Sequence, residues 1–232
     1  MSTQWSKQHP GQPEKNSLEK WIHWAKAHQE MVAVAGIVLL LSAIGIPYYL
    51  HSQAQNEEDA MRVLNLGQMY FHQQVDPKNG PFKTDAERNQ QAMQAFQRII
   101  TDHSGTHTAK IARFYVARCQ YFLGQGQQAY SSFDRACNEL RGTPLGDEAY
   151  FGKVLCLEAQ KQWAPAATIA ESFLKENPNS FLTPKIRLLL ADIYVQNQSK
   201  DKAVELLKMM TETYSDSAWG KEAEHRLRDL KS

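Results

Sequence analysis

The 232-residue sequence predicts an all-α protein: an N-terminal single transmembrane helix followed by an α-solenoid of stacked helical hairpins with a C-terminal capping helix. Three observations predict it. Residues 31–50, MVAVAGIVLLLSAIGIPYYL, carry no charge, although the whole chain holds 26 Lys and Arg and 25 Asp and Glu. From residue 55 onward apolar residues recur at helical spacing, and no run of alternating β-branched residues appears. That apolar pattern repeats every 37 residues.

The net charge of +1 argues against a nucleic-acid partner, which usually meets a basic excess, and against a polybasic or acidic interaction tail. The 42% apolar content is too high for a disordered chain.

Residues 1–30 read as a cytoplasmic arm in two parts. The first, to residue 16, carries Pro10, Gly11, Pro13, Gln and Lys, a composition that resists packing and predicts disorder. Ser17 then reads as an N-cap, and Leu18, Trp21, Ile22 and Ala25 form one apolar face of a short amphipathic helix. This helix suits the membrane interface or a docking partner.

Residues 31–50 are long enough to cross a bilayer, since twenty helical residues reach about 30 Å. Trp21 and Trp24 precede them and Tyr48 and Tyr49 close them, which suits rings that favour the two membrane–water interfaces. Pro47 lies near the far end, where a kink or helix end is tolerable. Lys7, Lys15, Lys20 and Lys26 lie before the span, against Arg62 and Lys78 within the thirty residues after it. The positive-inside rule therefore places the N-terminus in the cytoplasm and residues 51–232 outside. The block exceeds the apolar core of a cleaved signal peptide and reads as an uncleaved tether. No pair of small residues four apart lies in it to drive tight helix dimerisation.

The repeats are carried by Ala92, Ala129, Ala166 and Ala203, each 37 residues from the next. Four residues after each stand Phe96, Phe133, Ala170 and Leu207; seven after each stand Ile99, Ala136, Phe173 and Met210. Positions i, i+4 and i+7 form one face of a helix. Each such helix is preceded by another, so the unit is a hairpin that buries its apolar face only by stacking on its neighbours.

The chain here resembles the tetratricopeptide-repeat family. Tyr150, Val154, Leu157, Trp163, Ala166, Phe173 and Pro178 fall on the family's offsets. Val63, Leu66, Gly67 and Tyr70 with Ala92 and Phe96, and Leu190, Ala191 and Tyr194 with Ala203, carry two further units. The unit with Ala117, Ala129, Phe133 and Ala136 departs at Gln120, where the family has Tyr, and lacks a closing Pro. The first unit has an insertion around residues 76–81, and the period of 37 exceeds the roughly 34 of the family. Short punctuations at residues 104–107, 178–181 and 215–218 are similar to those of bacterial envelope tetratricopeptide proteins, including outer-membrane assembly lipoproteins and cell-division coordinators. A cytoplasmic arm, one span and external repeats look like the ancillary subunit of the bacterial Sec translocon. The resemblance implies a periplasmic scaffold or chaperone-like adaptor on the inner membrane. Its partners would be other envelope proteins or peptides, the translocon or periplasmic chaperones. A self-associating scaffold of division or wall machinery is the alternative.

Residues 217–230 read as the capping helix, with Trp219, Ala223, Leu227 and Leu230 on its apolar side. Cys119 and Cys156 are 37 apart and, with Cys137, read as small buried hydrophobes; whether any pair forms a disulfide stays open. His103 and His107 after Asp102 are too few for a convincing metal site. There is no HExxH, GxSxG, Walker or dinucleotide motif, so no enzyme activity, cofactor or metal is expected.

Binding is therefore expected on the first helices of the hairpins, which line a solenoid's concave face. In the family register the groove positions are Leu64, Phe114, Phe151 and Leu188. One turn on are Gln68, Arg118, Leu155 and Asp192, and three residues beyond lie Phe71, Tyr121, Glu158 and Val195. The set is mainly apolar and aromatic and suits a hydrophobic or mixed peptide or another helix. Packing between hairpins is the other use such residues can serve.

Overall fold

The structure, a computed structural model, describes residues 15–230. Among these residues it is all helical, ten helices joined by turns. The chain forms two compact units, Met1–Ala54 and Gln55–Ser232.

In the N-terminal unit, α1 spans Lys15–Ala27 and α2 begins at Gln29. Helix α1 starts two residues before Ser17, so Ser17 is not its cap. No breaker follows Pro13, and Lys15 is itself a good helix former. The disorder expected around Pro10, Gly11 and Pro13 falls outside the described residues. Trp21 packs edge-on to Trp24 with centroids 6.0 Å apart, and Trp24 stacks on His28. Trp21, Ile22 and Trp24 are all exposed, so this aromatic face has no partner within the described chain.

An 18-residue stretch of α2 has a mean hydropathy of 2.2, and none of it is buried. By length and composition α2 can cross a membrane. It does not end at residue 50: it continues through Pro47 to His72, and the boundary between the two units falls inside it. The physical reason is propensity, because Gln53 to Met61 are mostly Ala, Gln, Glu and Met, strong helix formers with no breaker.

In the repeat unit each hairpin has a first and a second helix, A and B. The end of α2 and α3 (Asp85–Asp102) make the first; α4 (His107–Phe122) and α5 (Gly126–Glu139) the second. Helices α6 (Pro144–Ala159) and α7 (Trp163–Glu176) make the third, α8 (Thr183–Gln196) and α9 (Lys200–Thr213) the fourth. Successive helices from α3 onward pack on one another, and α4 also touches α6. All twelve B-helix positions of the 37-residue pattern are buried, from Ala92, Phe96 and Ile99 to Ala203, Leu207 and Met210. The A helices approach closely where they carry glycine. A Cβ on Gly67 would stand 2.5 Å from the Phe96 ring, and one on Gly152 would stand 2.6 Å from the Phe133 ring.

The same local devices recur in phase. At the A-to-B turns of the last three hairpins, Gly124, Lys161 and Gln198 adopt φ of +74°, +58° and +59°. Each turn closes with paired bonds, such as Gln125 N–H to the Gln120 carbonyl and Gly124 N–H to that of Tyr121. This is the Schellman arrangement, which satisfies the last carbonyls of helix A and reverses the chain. Thr106, Thr143 and Ser217 cap α4, α6 and α10 (Ala218–Asp229), each side chain accepting the backbone N–H three residues on. Ser180, the corresponding residue before α8, instead donates to Asp147 at 2.6 Å, and α8 starts later, at Thr183.

The first hairpin replaces the tight turn by residues 73–84. Asp76 Oδ1 accepts the N–H of Lys78, and Phe82 is buried edge-on against Tyr70. The insertion thus has its own anchor in the core. Helix α10 covers α9, with Ala223 buried and Leu227 and Leu230 half-buried, whereas Trp219 remains partly exposed rather than joining the packed side.

Candidate protein-binding groove

The four residues of the first groove row, Leu64, Phe114, Phe151 and Leu188, are all buried, between 2% and 8% exposed. Their main contacts are the hairpin cores: Leu64 lies among Ala92, Phe96 and Cys119, and Leu188 among Ala203 and Leu207. The next two rows face outward to a greater degree. Gln68, Arg118, Leu155, Tyr121, Glu158 and Val195 are half-buried, Asp192 is exposed, and Phe71 is buried.

A cleft of about 180 Å³ lies along α4, α6 and α8. It brings together Phe114, Arg118, Tyr121, Phe151 and Leu155 from the expected set. It also takes in Phe122, Phe133, Gly152, Glu148 and Lys185, which the family register leaves out. A signal for two of these was present. Glu148 and Lys185 are 37 residues apart and lie three residues before Phe151 and Leu188, one turn earlier on the same face. Phe122 offers no such signal. It stands at the end of α4 and is exposed, with its ring 6.0 Å from that of Phe71.

The cations of this cleft sit on rings rather than on carboxylates. The Arg118 guanidinium lies 4.8 Å from the Phe71 centroid and 5.8 Å from that of Phe114. Lys185 Nζ lies 4.2 Å from the Phe151 centroid. Such contacts hold a cation in place while leaving its donors available. Phe71 thereby joins the edge of the cleft through Arg118, while Gln68 turns to Tyr115, donating to its hydroxyl at 2.8 Å. Burial raises the Tyr121 hydroxyl above its ordinary range, and the Glu158 carboxylate adds to this, so Tyr121 stays a neutral donor at physiological pH.

Further along, Asp192 and Val195 line a second, open cleft of about 260 Å³ between α8 and α10, with Arg226 and Leu230. Arg226 bridges Asp192 and Glu222 there. Burial raises the Glu158 carboxyl, and the charge of Asp192 raises it further. Of the twelve expected residues, Phe114, Arg118, Tyr121, Phe151 and Leu155 line the central cleft, Asp192 and Val195 the C-terminal one, Leu64 and Leu188 are buried, and Gln68, Phe71 and Glu158 are in neither lining.

The remaining chemistry-bearing side chains serve the fold. Cys119 and Cys156 are buried free thiols pushed up to about 12 by burial, and Cys137 is a half-buried free thiol. His103 faces Asn56 through Nδ1, and the backbone N–H of His107 donates to Glu57.

The tetratricopeptide-repeat family profile matches residues 148–180, which hold most of α6, all of α7 and the turn that follows. No curated protein matches the chain significantly. Among solved structures, a Podosopora anserina kinesin-light-chain-type chain of nearly identical TPR-like repeats is similar, with a TM-score of 0.54 and 16% identity. The alignment covers 79% of this chain and 86% of that one. A point variant of that Podosopora anserina chain gives the same score and identity over 79% and 85%. At this identity the likeness is one of fold: an all-α array of TPR-like hairpins, an architecture that generally binds protein partners.

Proposed function

We propose that the protein is a non-enzymatic, membrane-tethered interaction scaffold or chaperone-like adaptor of the bacterial envelope. In this reading α2 anchors it in the inner membrane, the N-terminus is cytoplasmic, and the repeats bind protein partners in the periplasm during secretion or envelope assembly. The observation that carries the binding role is the central cleft, where Phe122 and Leu155 supply apolar surface over the buried Phe114 and Phe151, and Arg118, Tyr121 and Lys185 supply donors with no ion pair or hydrogen bond among the described residues. A half-apolar recess with a few placed polar groups is what a peptide side chain needs. The tether is supported by the unburied apolar stretch of α2 and its aromatic flanks, and the orientation by the lysines that precede it.

A photo-crosslinking residue at Tyr121 tests this in intact cells that also carry a reporter fused after Ser232. Adducts to envelope proteins and an extracytoplasmic reporter are expected. Adducts restricted to cytoplasmic proteins, or a cytoplasmic reporter, would overturn the reading.

One observation favours a self-associating scaffold as a second reading. The repeat-unit part of α2 leaves the apolar side chains of Met61, Leu66 and Met69 exposed. Sedimentation separates the two, because a stable oligomer that blocks crosslinking at Tyr121 belongs to the second alone.

A further inference from the structure

The charges along the A-helix face are sorted, and the sorting names the chemistry of the partner. At the central cleft Arg118 and Lys185 form no ion pair among the described residues; both rest on aromatic rings. Glu148 also lines this cleft, within ion-pair distance of neither cation. Two cations thus face one carboxylate. Several half-buried charges elsewhere in the repeats are paired, Arg113 with Glu139, Lys153 with Asp134, and Arg226 with Asp192 and Glu222, while Arg187 donates to the Tyr214 hydroxyl.

Seven residues along α6 from Phe151, whose ring carries Lys185, the sign reverses. Glu158 lies on the same face as Phe151 and Leu155, half-buried, and its side chain has neither hydrogen bond nor ion pair among the described residues. Asp192 next to it is already compensated by Arg226, so Glu158 carries the unbalanced negative charge. Seven helical residues correspond to roughly 10 Å. Three residues of an extended peptide, at about 3.3 Å each, cover that distance.

We infer that the groove takes an extended protein segment of bipolar charge, with an acidic residue against Arg118 and Lys185, a bulky apolar side chain in the cleft over Phe114 and Leu155, and a basic residue about three positions from the acidic one against Glu158. The inference rests on the groove reading above and deepens it by naming what the partner segment contains. Half-buried charges without a partner are costly to hold, and a ligand that supplies both counter-charges removes that cost at once. Charge order selects among apolar segments, because the reversed order sets like charges together at both ends.

The test uses the full-length protein in nanodiscs and two blocked, labelled peptides of one composition, Gly-Glu-Trp-Gly-Lys-Gly and Gly-Lys-Trp-Gly-Glu-Gly. Fluorescence anisotropy at low salt is expected to show one charge order bound at least about tenfold more tightly. Replacing Arg118 and Lys185 together by Gln, or Glu158 by Gln, should bring the ratio near one, while Arg118→Lys retains it. Since Arg118 also packs on Phe71, thermal melts of each variant confirm that the protein tested is folded. Equal affinity for the two peptides overturns the inference. A parallel titration with reduced, carboxymethylated lactalbumin then separates the two readings: binding of that unfolded chain leaves the groove reading standing, and binding of neither probe overturns both.

Discussion

The Glu57 carboxylate caps α4 from fifty residues away, accepting the backbone N–H of His107 at 2.8 Å and of Thr108 at 2.9 Å while the Thr108 hydroxyl donates to it at 2.6 Å. Thr106 takes the N–H of Ala109, so the first three N–H groups of α4 are all satisfied by side chains. The negative charge also opposes the positive end of the helix dipole. Through this one residue the first A helix is fastened to the second.

Burial works against the Glu57 charge, but the bonds from Thr108 and His107 outweigh it and hold the carboxyl below its ordinary range. A carboxyl lowered by folding contributes stability that is present above its unfolded value and is lost as pH falls through the folded one. Glu57→Ala should therefore cost about 1–3 kcal/mol at neutral pH, the usual range for a lost cap or a lost charged hydrogen bond. The gap between native and variant protein, measured by urea unfolding, should narrow as pH drops below about 4.3, the ordinary glutamate value. A gap that does not change with pH would show that the charge is irrelevant to the cap.

Gly67 and Gly152 let an A helix approach the ring of a buried B-helix phenylalanine. Phe96 is fully buried and stacked on Tyr115 at 4.9 Å, and Phe133 is 3% exposed, so neither ring can yield cheaply. Gly67→Ala and Gly152→Ala should each destabilise by about 1–2 kcal/mol, the overpacking cost outweighing the better helix propensity of Ala. Adding Phe133→Leu to Gly152→Ala should recover part of the loss, and the double-mutant cycle measures the coupling.

The left-handed turn positions predict gains as well as losses. Lys161 and Gln198 hold a conformation that L side chains adopt at a cost and that glycine adopts freely. Lys161→Gly and Gln198→Gly should each stabilise by about 0.5–1 kcal/mol, whereas Gly124→Ala should destabilise by about 1 kcal/mol. Thermal denaturation of the three variants checks the sign, which is opposite for the same turn in different hairpins.

Thiol labelling should order the cysteines. Cys119 and Cys156, buried and pushed up to about 12, carry almost no thiolate at pH 8, while Cys137 is half-buried. Cys137 is expected to react first with iodoacetamide under native conditions, the other two only with unfolding. Rapid native labelling of Cys119 would place it outside the core.

The helical repeat, the buried faces and the capping helix were legible in the sequence because each depends on spacing along the helices. Ala129, Phe133 and Ala136 fall on one side of α5 whatever surrounds it. The lining of the central cleft was legible in part for the same reason. The register found the face of α4 and α6 that carries Arg118 and Leu155, yet stopped one turn short of Glu148 and Lys185. It also included Leu64 and Leu188, whose burial depends on the B helices opposite.

By itself, then, the sequence determined the period, the all-α class and the charge-free stretch able to cross a membrane, since hydropathy and helical phase are local properties of the chain. Only the tertiary structure decided that α2 runs unbroken into the first hairpin, that Glu57 caps a helix fifty residues on, and that Arg118, Lys185 and Glu158 lack counter-charges among the described residues while Arg113, Lys153 and Arg226 have them. Partnership between side chains depends on which helices converge, and no spacing within a single helix contains that information.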